Sequence, residues 1–221
     1  HEGVDTSRLR PNSQAGFLLP NGRTIRAGDE VLTFVNRSLE PYRGFHVFMR
    51  ALPEILRRRP NLVVLIEGSE DEAGYGNRHP GGDSWKQWMW KEVGERIDSS
   101  RVWFLGKVPF ADHIRLLQVS RAHAYLSYPY IASWSLLEAM SCGCVIIGSR
   151  TPPVTEFVDE GESGLMVDFF DVPSLVATVV EVLDKPHQFE GMRRRARQKM
   201  RELYDLEQVC LPALMKLVSG R

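Results

Sequence analysis

Six short aliphatic runs, separated by segments with helical spacing, leave few folds open to this chain. The runs cover residues 31–35, 62–66, 102–105, 122–126, 145–147 and 165–167. They are apolar throughout rather than alternating, and Gly, Pro or Asn residues bound them, which is typical of strands buried on both faces of a parallel sheet. We therefore predict about six parallel strands in one sheet.

The segments between the runs carry apolar residues at helical intervals. In the first segment these residues are Phe45, Phe48, Met49, Leu52, Ile55 and Leu56. Similar faces occur near residues 85–89, 114–117, 134–140 and 175–183, and a basic helix is predicted from about residue 192 to residue 204. Strands that alternate with helices predict an α/β fold, here a doubly wound, Rossmann-like parallel sheet with helices on both faces.

The beginning of the chain lacks such a pattern. Residues 1–29 are rich in Gly, Pro, Asn and Arg, and we predict an irregular hinge or linker there, in front of a domain over residues 30–221. Because the chain begins with His rather than Met, we expect it to be a piece of a longer protein. Residues 68–83 are rich in glycine, and we predict a loop without a helix there.

Composition excludes several classes of function. Apolar residues make up 43% of the chain, and its 28 basic and 28 acidic residues cancel, whereas nucleic-acid-binding proteins usually carry a basic excess. The longest aliphatic run has five residues, against the ~20 that a membrane-spanning helix needs, and no secretion leader precedes it. Cys142, Cys144 and Cys210 suit structural thiols in a reducing compartment rather than disulfides or a zinc site. We expect a cytoplasmic domain without a metal or cofactor and without a nucleic-acid partner.

Two loops are expected at the edge of the sheet where ligands bind. In the common strand order 3-2-1-4-5-6, ligands bind at the carboxyl ends of strands 1 and 4, which residues 36–44 and 127–135 follow here. The first loop carries Arg37 and Arg43 before a helix N-terminus, and guanidinium groups and free helix amides both bind phosphate oxygens. This combination suits a diphosphate. The alternative is that both arginines are solvated surface charges, but their place at the switch point favours the diphosphate. Gly44 either lets the backbone approach a ligand or relieves a tight turn.

The second loop leads into a helix near Trp134 or Ser135, with Glu138 in its first turn. One interpretation is a capping box over Ser135-x-x-Glu138, in which the carboxylate binds a backbone amide. The other is that the carboxylate accepts hydrogen bonds from two neighbouring hydroxyls, as on a ribose. Spacing alone does not separate them. A dinucleotide-dependent oxidoreductase is disfavoured, because residues 36–39 lack the Gly-x-Gly-x-x-Gly turn.

Six motifs in order resemble the C-terminal, donor-binding domain of the retaining GT-B glycosyltransferases of family 4, also called group 1. The motifs lie at residues 1–6, 36–44, 62–68, 104–108, 136–143 and 161–167. The fifth includes Leu-Glu-Ala-Met-Ser-Cys-Gly over residues 137–143, which resembles the signature that closes the Glu-x7-Glu motif of that family. The resemblance implies one half of a GT-B fold, and it covers nearly the whole chain.

The resemblance also implies a function and assigns residues to it. The chain would be the donor half of a metal-independent enzyme that moves a sugar from a nucleoside-diphosphate sugar (with a UDP or GDP carrier) with retention of anomeric configuration. The fragment alone would bind the donor without turnover, while a sugar, lipid or other acceptor would bind an N-terminal domain outside this chain. Catalytic roles fall to Arg37 and Arg43 on the diphosphate leaving group and to Glu138 on the ribose, and substrate binding falls to Gly44, Gly68, Lys107, Val108, Tyr130, Ser133, Trp134 and Ser135. Among these, the backbone around Lys107 and Val108 would meet the base, and the amides at 133–135 would complete a phosphate cradle.

One position departs from the family pattern. Tyr130 stands eight residues before Glu138, where the first glutamate of the motif is expected. A tyrosine there is able to hydrogen-bond, to stack on a sugar face or to pack in the core, but it brings no charge. It favours an alternative, a non-catalytic nucleotide- or sugar-binding module derived from the same fold.

The basic segment near the C-terminus and two histidines are predicted to have no catalytic role. The basic segment 192–199 is typical of a solvated face, and the alternatives are contact with the missing domain or peripheral contact with a membrane surface. His113 and His123 fall in helix and strand patterns, and we interpret both as structural.

Overall fold

The structure, a computed structural model, describes residues 2–70, 74–76 and 79–220. In the N-terminal half the elements are β1 (Gly16–Leu18), β2 (Thr24–Arg26), β3 (Val31–Ser38), α1 (Phe45–Arg58), β4 (Val63–Ser69), α2 (Trp85–Val93), β5 (Val102–Gly106) and α3 (Phe110–Val119). In the C-terminal half they are β6 (Ala122–Tyr125), α4 (Trp134–Ser141), β7 (Val145–Ser149), α5 (Pro152–Thr155), β8 (Leu165–Val167), α6 (Val172–Asp184), α7 (Glu190–Leu203) and α8 (Leu211–Ser219). All six predicted strands and the predicted long helices are present.

Six parallel strands form one sheet in the order β5-β4-β3-β6-β7-β8. Numbered along the chain, this is the predicted order 3-2-1-4-5-6. β3 pairs with β4 as far as Ser38↔Ser69, whereas it pairs with β6 only through Leu32↔Ala122 and Thr33↔His123. The two central strands therefore separate toward their carboxyl ends, and this separation opens the crevice expected at a topological switch point.

Two hydrophobic layers cover the two faces of this sheet. Successive side chains of β3 point in opposite directions, so Leu32 and Phe34 join the core under α1, α2 and α6. Val31 and Val35 join the core under α3, α4 and α7. Helices on both faces confirm the doubly wound prediction.

The prediction of an irregular segment over residues 1–29 was wrong for residues 16–26, which contain two strands. β1 and β2 form an antiparallel hairpin in which Gly16 faces Arg26. Phe17 and Ile25 are 5% and 0% exposed and lie in the same core as α3 and α4. The strands have three residues each, too short for a periodicity to show among Gly and Pro turn residues. The hinge role of this segment stays a prediction.

Two of the basic side chains of α7, Arg193 and Arg197, bind the protein itself, whereas Arg194 and Arg195 are exposed. Arg197 donates hydrogen bonds to the carbonyl oxygens of Thr6, Leu9 and Ser141 at 2.7, 2.6 and 3.1 Å. Arg193 donates to the Ser120 carbonyl at 2.9 Å. The solvated-face interpretation was therefore wrong for these two arginines, which attach α7 to the rest of the fold.

The cysteines, the glycine-rich loop and the lengths of the helices were also the subject of predictions from the sequence. The three cysteines are buried free thiols, and burial raises the pKa of Cys144 to about 12. Residues 74–76 and 79–83 contain no helix or strand, as predicted for this loop, while residues 71–73 and 77–78 lie outside the described residues. Over the described part of the chain, no helix combines the length and apolarity needed to cross a membrane.

Candidate functional site

A cleft of about 480 Å³ lies at the carboxyl ends of β3, β4 and β5, against the start of α4. Most of the predicted site residues line it, namely Arg37, Arg43, Gly68, Lys107, Ser133, Trp134, Ser135 and Glu138. The lining described for this cleft does not include Gly44, Val108 or Tyr130. The two loops expected at the switch point thus meet in one cavity.

Arg37 and Arg43 reach this cleft in different ways. Arg37 is an exposed residue near the end of β3, between Asn36 and Ser38, which are both buried. Arg43 is 6% exposed and donates from Nη1 to the Ile131 carbonyl at 2.7 Å. Arg43 therefore forms part of the wall between the two loops, whereas Arg37 faces solvent.

Hydrogen bonds join the two loops to each other. The backbone amide of Tyr128 donates to the Tyr42 carbonyl at 2.8 Å, and Nη1 of Arg43 also lies 3.3 Å from the Ser127 hydroxyl. These contacts hold the arginine turn, Pro41–Arg43, against the residues that follow β6. The position of Arg43 is thus fixed by the protein before any ligand binds.

Gly44 allows two backbone segments to pack closely, and it is not among the residues that line the cleft. Its φ is +70°, a conformation that residues with a side chain rarely adopt. A Cβ atom at this position would lie 2.2 Å from the Cβ of Leu126. The tight-turn alternative is the one that this geometry favours, since α1 begins here in close contact with the end of β6.

The start of α4 has no capping box. Ser133, not Ser135, is the N-cap residue, and its side chain makes no capping hydrogen bond. The Ser135 hydroxyl donates to the Val35 carbonyl at 3.2 Å, and the Ser133 amide donates to the Tyr125 hydroxyl at 2.7 Å. Because the Ser133 amide is used inside the protein, the predicted phosphate cradle depends on the amides of residues 134 and 135.

Glu138 pairs with a histidine instead of capping the helix. Its Oε2 lies 3.2 Å from Nε2 of His113, and Nδ1 of the same imidazole lies 2.8 Å from Oε2 of Glu67. Burial opposes a charge on the imidazole, but the hydrogen bonds from Glu138 and Glu67 outweigh it and raise the pKa of His113 to about 9. His113 is therefore an imidazolium near neutral pH, between two carboxylates that line the cleft.

Glu40 is a third carboxylate of the cleft, and it holds the glycine-rich loop. It is 4% exposed and accepts hydrogen bonds from the amides of Tyr75 at 3.2 Å and Gly76 at 2.8 Å. The Ser38 hydroxyl donates to the same carboxylate at 3.3 Å. Glu40 thus brings residues 74–76 to the edge of the cavity.

Glu40, Glu67 and His113 line the cleft, although no site role was predicted for them from the sequence. One signal was present in the sequence, because Glu67 lies near the end of a predicted strand and His113 follows the end of another. Parallel strands bring their carboxyl ends to one edge of the sheet. The same rule that selected residues 36–44 and 127–135 therefore also applies to these two side chains.

Tyr130 is on the surface, so of its three interpretations packing in the core is wrong. It is 65% exposed, and its ring centroid lies 5.0 Å from that of Tyr75. It lines an open neighbouring cavity of about 730 Å³, which shares Ile131 and Trp134 with the cleft. Tyr130 thus stands at the mouth of the site.

Two observations bear on what the cleft holds. The amide side chain of Asn36 lines it, is buried, and has no hydrogen-bond partner among the described residues. Across residues 2–70, 74–76 and 79–220, no group of three His, Cys, Asp or Glu side chains is arranged to hold a metal ion. A buried polar group without a partner in such a place is a common sign of a ligand site.

The sequence is similar to a known protein family and to curated proteins. The profile of the family described as glycosyl transferases group 1 matches residues 19–202. The D-inositol 3-phosphate glycosyltransferase of Corynebacterium jeikeium is 32% identical over 173 residues, which make up 76% of this chain and 39% of that protein. This chain spans about 40% of the length of the curated relatives that it matches.

Solved structures share the fold. Sucrose-phosphate synthase from Thermosynechococcus elongatus superposes with a TM-score of 0.78 at 19% identity, over 99% of this chain and 52% of that one. HepE of Anabaena, solved in complex with UDP-glucose, gives a TM-score of 0.73 at 18% identity, over 98% of this chain and 56% of that one. The six-stranded sheet and its helices are one half of a GT-B fold.

Proposed function

Because this chain belongs to the group 1 glycosyl transferase family, we propose that it is the half of the enzyme that binds a nucleoside-diphosphate sugar. In this proposal the sugar passes to an acceptor with retention of anomeric configuration and without a metal ion. The acceptor, a sugar, a lipid or another molecule, binds a domain outside this chain. One observation carries the proposal: Arg37, Arg43, Lys107 and the start of α4 meet Glu138 in a single cleft.

The cationic side of the cleft suits the diphosphate. As the glycosidic bond breaks, negative charge grows on the leaving nucleoside diphosphate, and fixed cations around it lower the barrier. Arg43 uses Nη1 for the protein, and a guanidinium carries five N–H donors in all, so its other N–H groups are available to phosphate oxygens. Arg37 and Lys107 bring two further positive charges to the same cavity.

The acidic side of the cleft suits the nucleoside. A carboxylate is an acceptor-only group that pairs well with two neighbouring hydroxyls, and Glu138 places such a group in the same cleft as the arginines. The backbone near Lys107 and Val108 would then meet the base. The complex of HepE with UDP-glucose supports a nucleotide-sugar donor, because that protein shares the fold of this chain.

Calorimetric titration of the chain with UDP, GDP and ADP tests the proposal. We expect saturable binding of at least one of them by a folded sample, and no sugar transfer by this chain alone. A folded sample that binds none of the three would contradict the donor-site assignment. The ligand that binds most tightly identifies the nucleobase of the donor, which the side chains of this sequence do not indicate.

The same titration tests metal independence. Since the arginines and Lys107 supply the positive charge, the dissociation constant is expected to be the same with EDTA as with Mg²⁺. Binding that requires Mg²⁺ would contradict the metal-independent part of the proposal and leave the donor site in place.

A second candidate function is a non-catalytic nucleotide- or sugar-binding module. The observation that favours it is Tyr130, an uncharged residue at the mouth of the site where the family motif has a glutamate. The two candidates differ in turnover. Transfer from the intact donor by the full-length protein would exclude the module, whereas donor binding with no transfer or donor hydrolysis would favour it.

A further inference from the structure

His113 connects two carboxylates that belong to different elements of the fold. Glu67 comes from β4, Glu138 from α4, and His113 from the first turn of α3. All three side chains are mostly buried, with 9% exposure for His113, 13% for Glu67 and 15% for Glu138. All three line the cleft. The bridge is therefore part of the cavity wall.

The geometry requires a doubly protonated ring. A neutral imidazole has one N–H donor and one acceptor nitrogen, and an ionised carboxylate only accepts. Nδ1 faces Glu67 at 2.8 Å and Nε2 faces Glu138 at 3.2 Å, so both nitrogens must donate. Each contact uses Oε2 of its carboxylate, and among the described residues no hydrogen bond is donated to Oε1 of either one.

We propose that His113 is a positioning residue of the nucleoside subsite, which holds Glu67 and Glu138 so that their second oxygens accept hydrogen bonds from the vicinal hydroxyls of a ribose. The inference rests on the proposed function and extends it, since it adds Glu67 to the ribose contacts and gives Glu138 a fixed orientation. Without the imidazolium, two carboxylates in a partly buried wall repel each other and turn apart. The class of ligand that this arrangement selects is a ribonucleotide over a deoxynucleotide.

Other charged groups near the bridge do not replace His113. His123 of β6 lies behind it, and burial lowers the pKa of His123 to about 3, so that side chain is neutral. Lys107 and Arg37 line the same cleft and belong to its cationic side. The ring of Phe110 stacks on the imidazole with centroids 5.9 Å apart and contributes no charge. Among the described residues, His113 is the cation whose side chain makes hydrogen bonds to Glu67 and Glu138.

Discrimination between ribose and dideoxyribose tests this role. The wild-type chain and His113→Gln are titrated at pH 7 with UDP, GDP and ADP and with the 2′,3′-dideoxy analogue of each. We expect the wild type to prefer the ribonucleotide at least tenfold, and His113→Gln to prefer it less than threefold. His187→Gln is the matched control, because His187 is exposed and also pairs with a glutamate, at 3.1 Å; it should discriminate like the wild type.

The outcomes separate the two claims. A wild-type chain that binds no nucleoside diphosphate overturns the proposed function and this inference with it. A wild type that discriminates, together with a folded His113→Gln that discriminates equally, overturns only the role of His113. Loss of discrimination in the variant supports it, since a merely structural histidine would change both affinities alike.

A second variant covers the case in which His113→Gln does not fold. Glu67→Gln keeps the volume of the side chain but removes one of the two carboxylates that favour the imidazolium. The ribose preference of this variant is expected to disappear at a lower pH than in the wild type, where it persists to about pH 9. Identical pH profiles for the two proteins would overturn the inference.

Discussion

Gly44 shows how one residue sets the distance between the arginine turn and the sheet. Its backbone has φ +70°, and a Cβ would lie 2.2 Å from Leu126. A side chain would therefore have to displace either the end of β6 or the start of α1. Because Arg43 precedes Gly44 directly, the same displacement would move a guanidinium of the proposed diphosphate site.

Gly44→Ala is expected to lower the free energy of unfolding by about 3 kcal/mol or more, since backbone strain and overpacking add. Gly22→Ala is the matched control, because Gly22 has φ +85° with nothing within 4 Å of the added Cβ. That variant should lose only about 1 kcal/mol from strain. Chemical denaturation of both variants measures the difference, and equal losses would contradict the close approach at Leu126.

His113 predicts a pH dependence of stability. Its pKa rises from 6.5 to about 9 on folding, so the stabilisation is complete below pH 6.5 and is lost as the pH rises through about 9. The full effect is on the order of 3 kcal/mol. The difference in unfolding free energy between the wild type and His113→Gln should shrink between pH 6.5 and 9.5. A difference that is constant over this range would show that Glu67 and Glu138 do not raise the pKa of the imidazole.

For single residues, the side chains at the strand ends could be predicted from the sequence, but the side chains with which they form hydrogen bonds could not. Arg37, Arg43 and Glu138 followed from the switch-point rule and the family motif. The pairing of Glu138 with His113 joins residues 25 apart in the sequence, and that of His113 with Glu67 joins residues 46 apart. Such contacts depend on the register of β4 and the approach of α3, which no local pattern contains.

Among the elements, the N-terminal hairpin gave the largest departure from expectation. β1 and β2 place Phe17 and Ile25 in the core, and Arg197 of α7 binds the carbonyls of Thr6 and Leu9. The segment is attached by both apolar burial and partly buried hydrogen bonds. It therefore contributes to the stability of the domain whatever its role as a hinge.

Ile25→Ala is expected to lower the free energy of unfolding by about 2–5 kcal/mol, because it empties a fully buried site. Leu18→Ala on the partner strand is the control, since Leu18 is 66% exposed. A surface change of that kind usually stays within about 0.5 kcal/mol. Equal, small effects in the two variants would show that the hairpin does not pack on the domain in solution.

Arg197→Ala tests the second attachment of the same segment. It removes the Arg197 donor from the carbonyls of Thr6 and Ser141, whereas the Leu9 carbonyl still accepts from the Ser141 hydroxyl, and each unsatisfied buried group costs about 1–3 kcal/mol. Arg194→Ala is the control, because Arg194 is exposed and lies 3.9 Å from its partner Glu190. A loss of stability confined to Arg197→Ala is expected in thermal unfolding. A wild-type melting curve for Arg197→Ala would contradict the role of this arginine.

For the whole molecule, the order of the strands determines where the chemistry lies. The order β5-β4-β3-β6-β7-β8 reverses direction between β3 and β6, and these strands pair over only two residues. The cleft beyond them is lined by Arg37 and Arg43 from the end of β3 and the turn after it, by Lys107 after β5, and by the first residues of α4. A sheet with the same strands in simple succession would have no such crevice at its centre.

This architecture was predictable from the sequence because it depends on patterns that recur along the chain. Apolar runs of strand length and helical faces between them fix an α/β sheet, and the common order of such sheets placed the crevice correctly. The absence of a helix from the glycine-rich loop was predictable, but its position at the cleft was not, since Glu40 reaches the amides of Tyr75 and Gly76 across 35 and 36 residues. Local composition says nothing about that contact.

The proposed pyrophosphate pocket is tested most directly by comparing a nucleoside diphosphate with its nucleoside. Calorimetric dissociation constants are measured for UDP and uridine, or for the corresponding pair of the preferred base, with the wild type, Arg37→Ala and Arg57→Ala. Arg57 is the control because it lies in the last turn of α1, whereas the cleft adjoins the first turn. We predict that Arg37→Ala weakens diphosphate binding by about 1.5–3 kcal/mol, as expected for a lost charged hydrogen bond. The same variant should leave nucleoside binding unchanged. Arg57→Ala should change the affinity for neither ligand. Wild-type affinity of Arg37→Ala for the diphosphate would contradict the pocket.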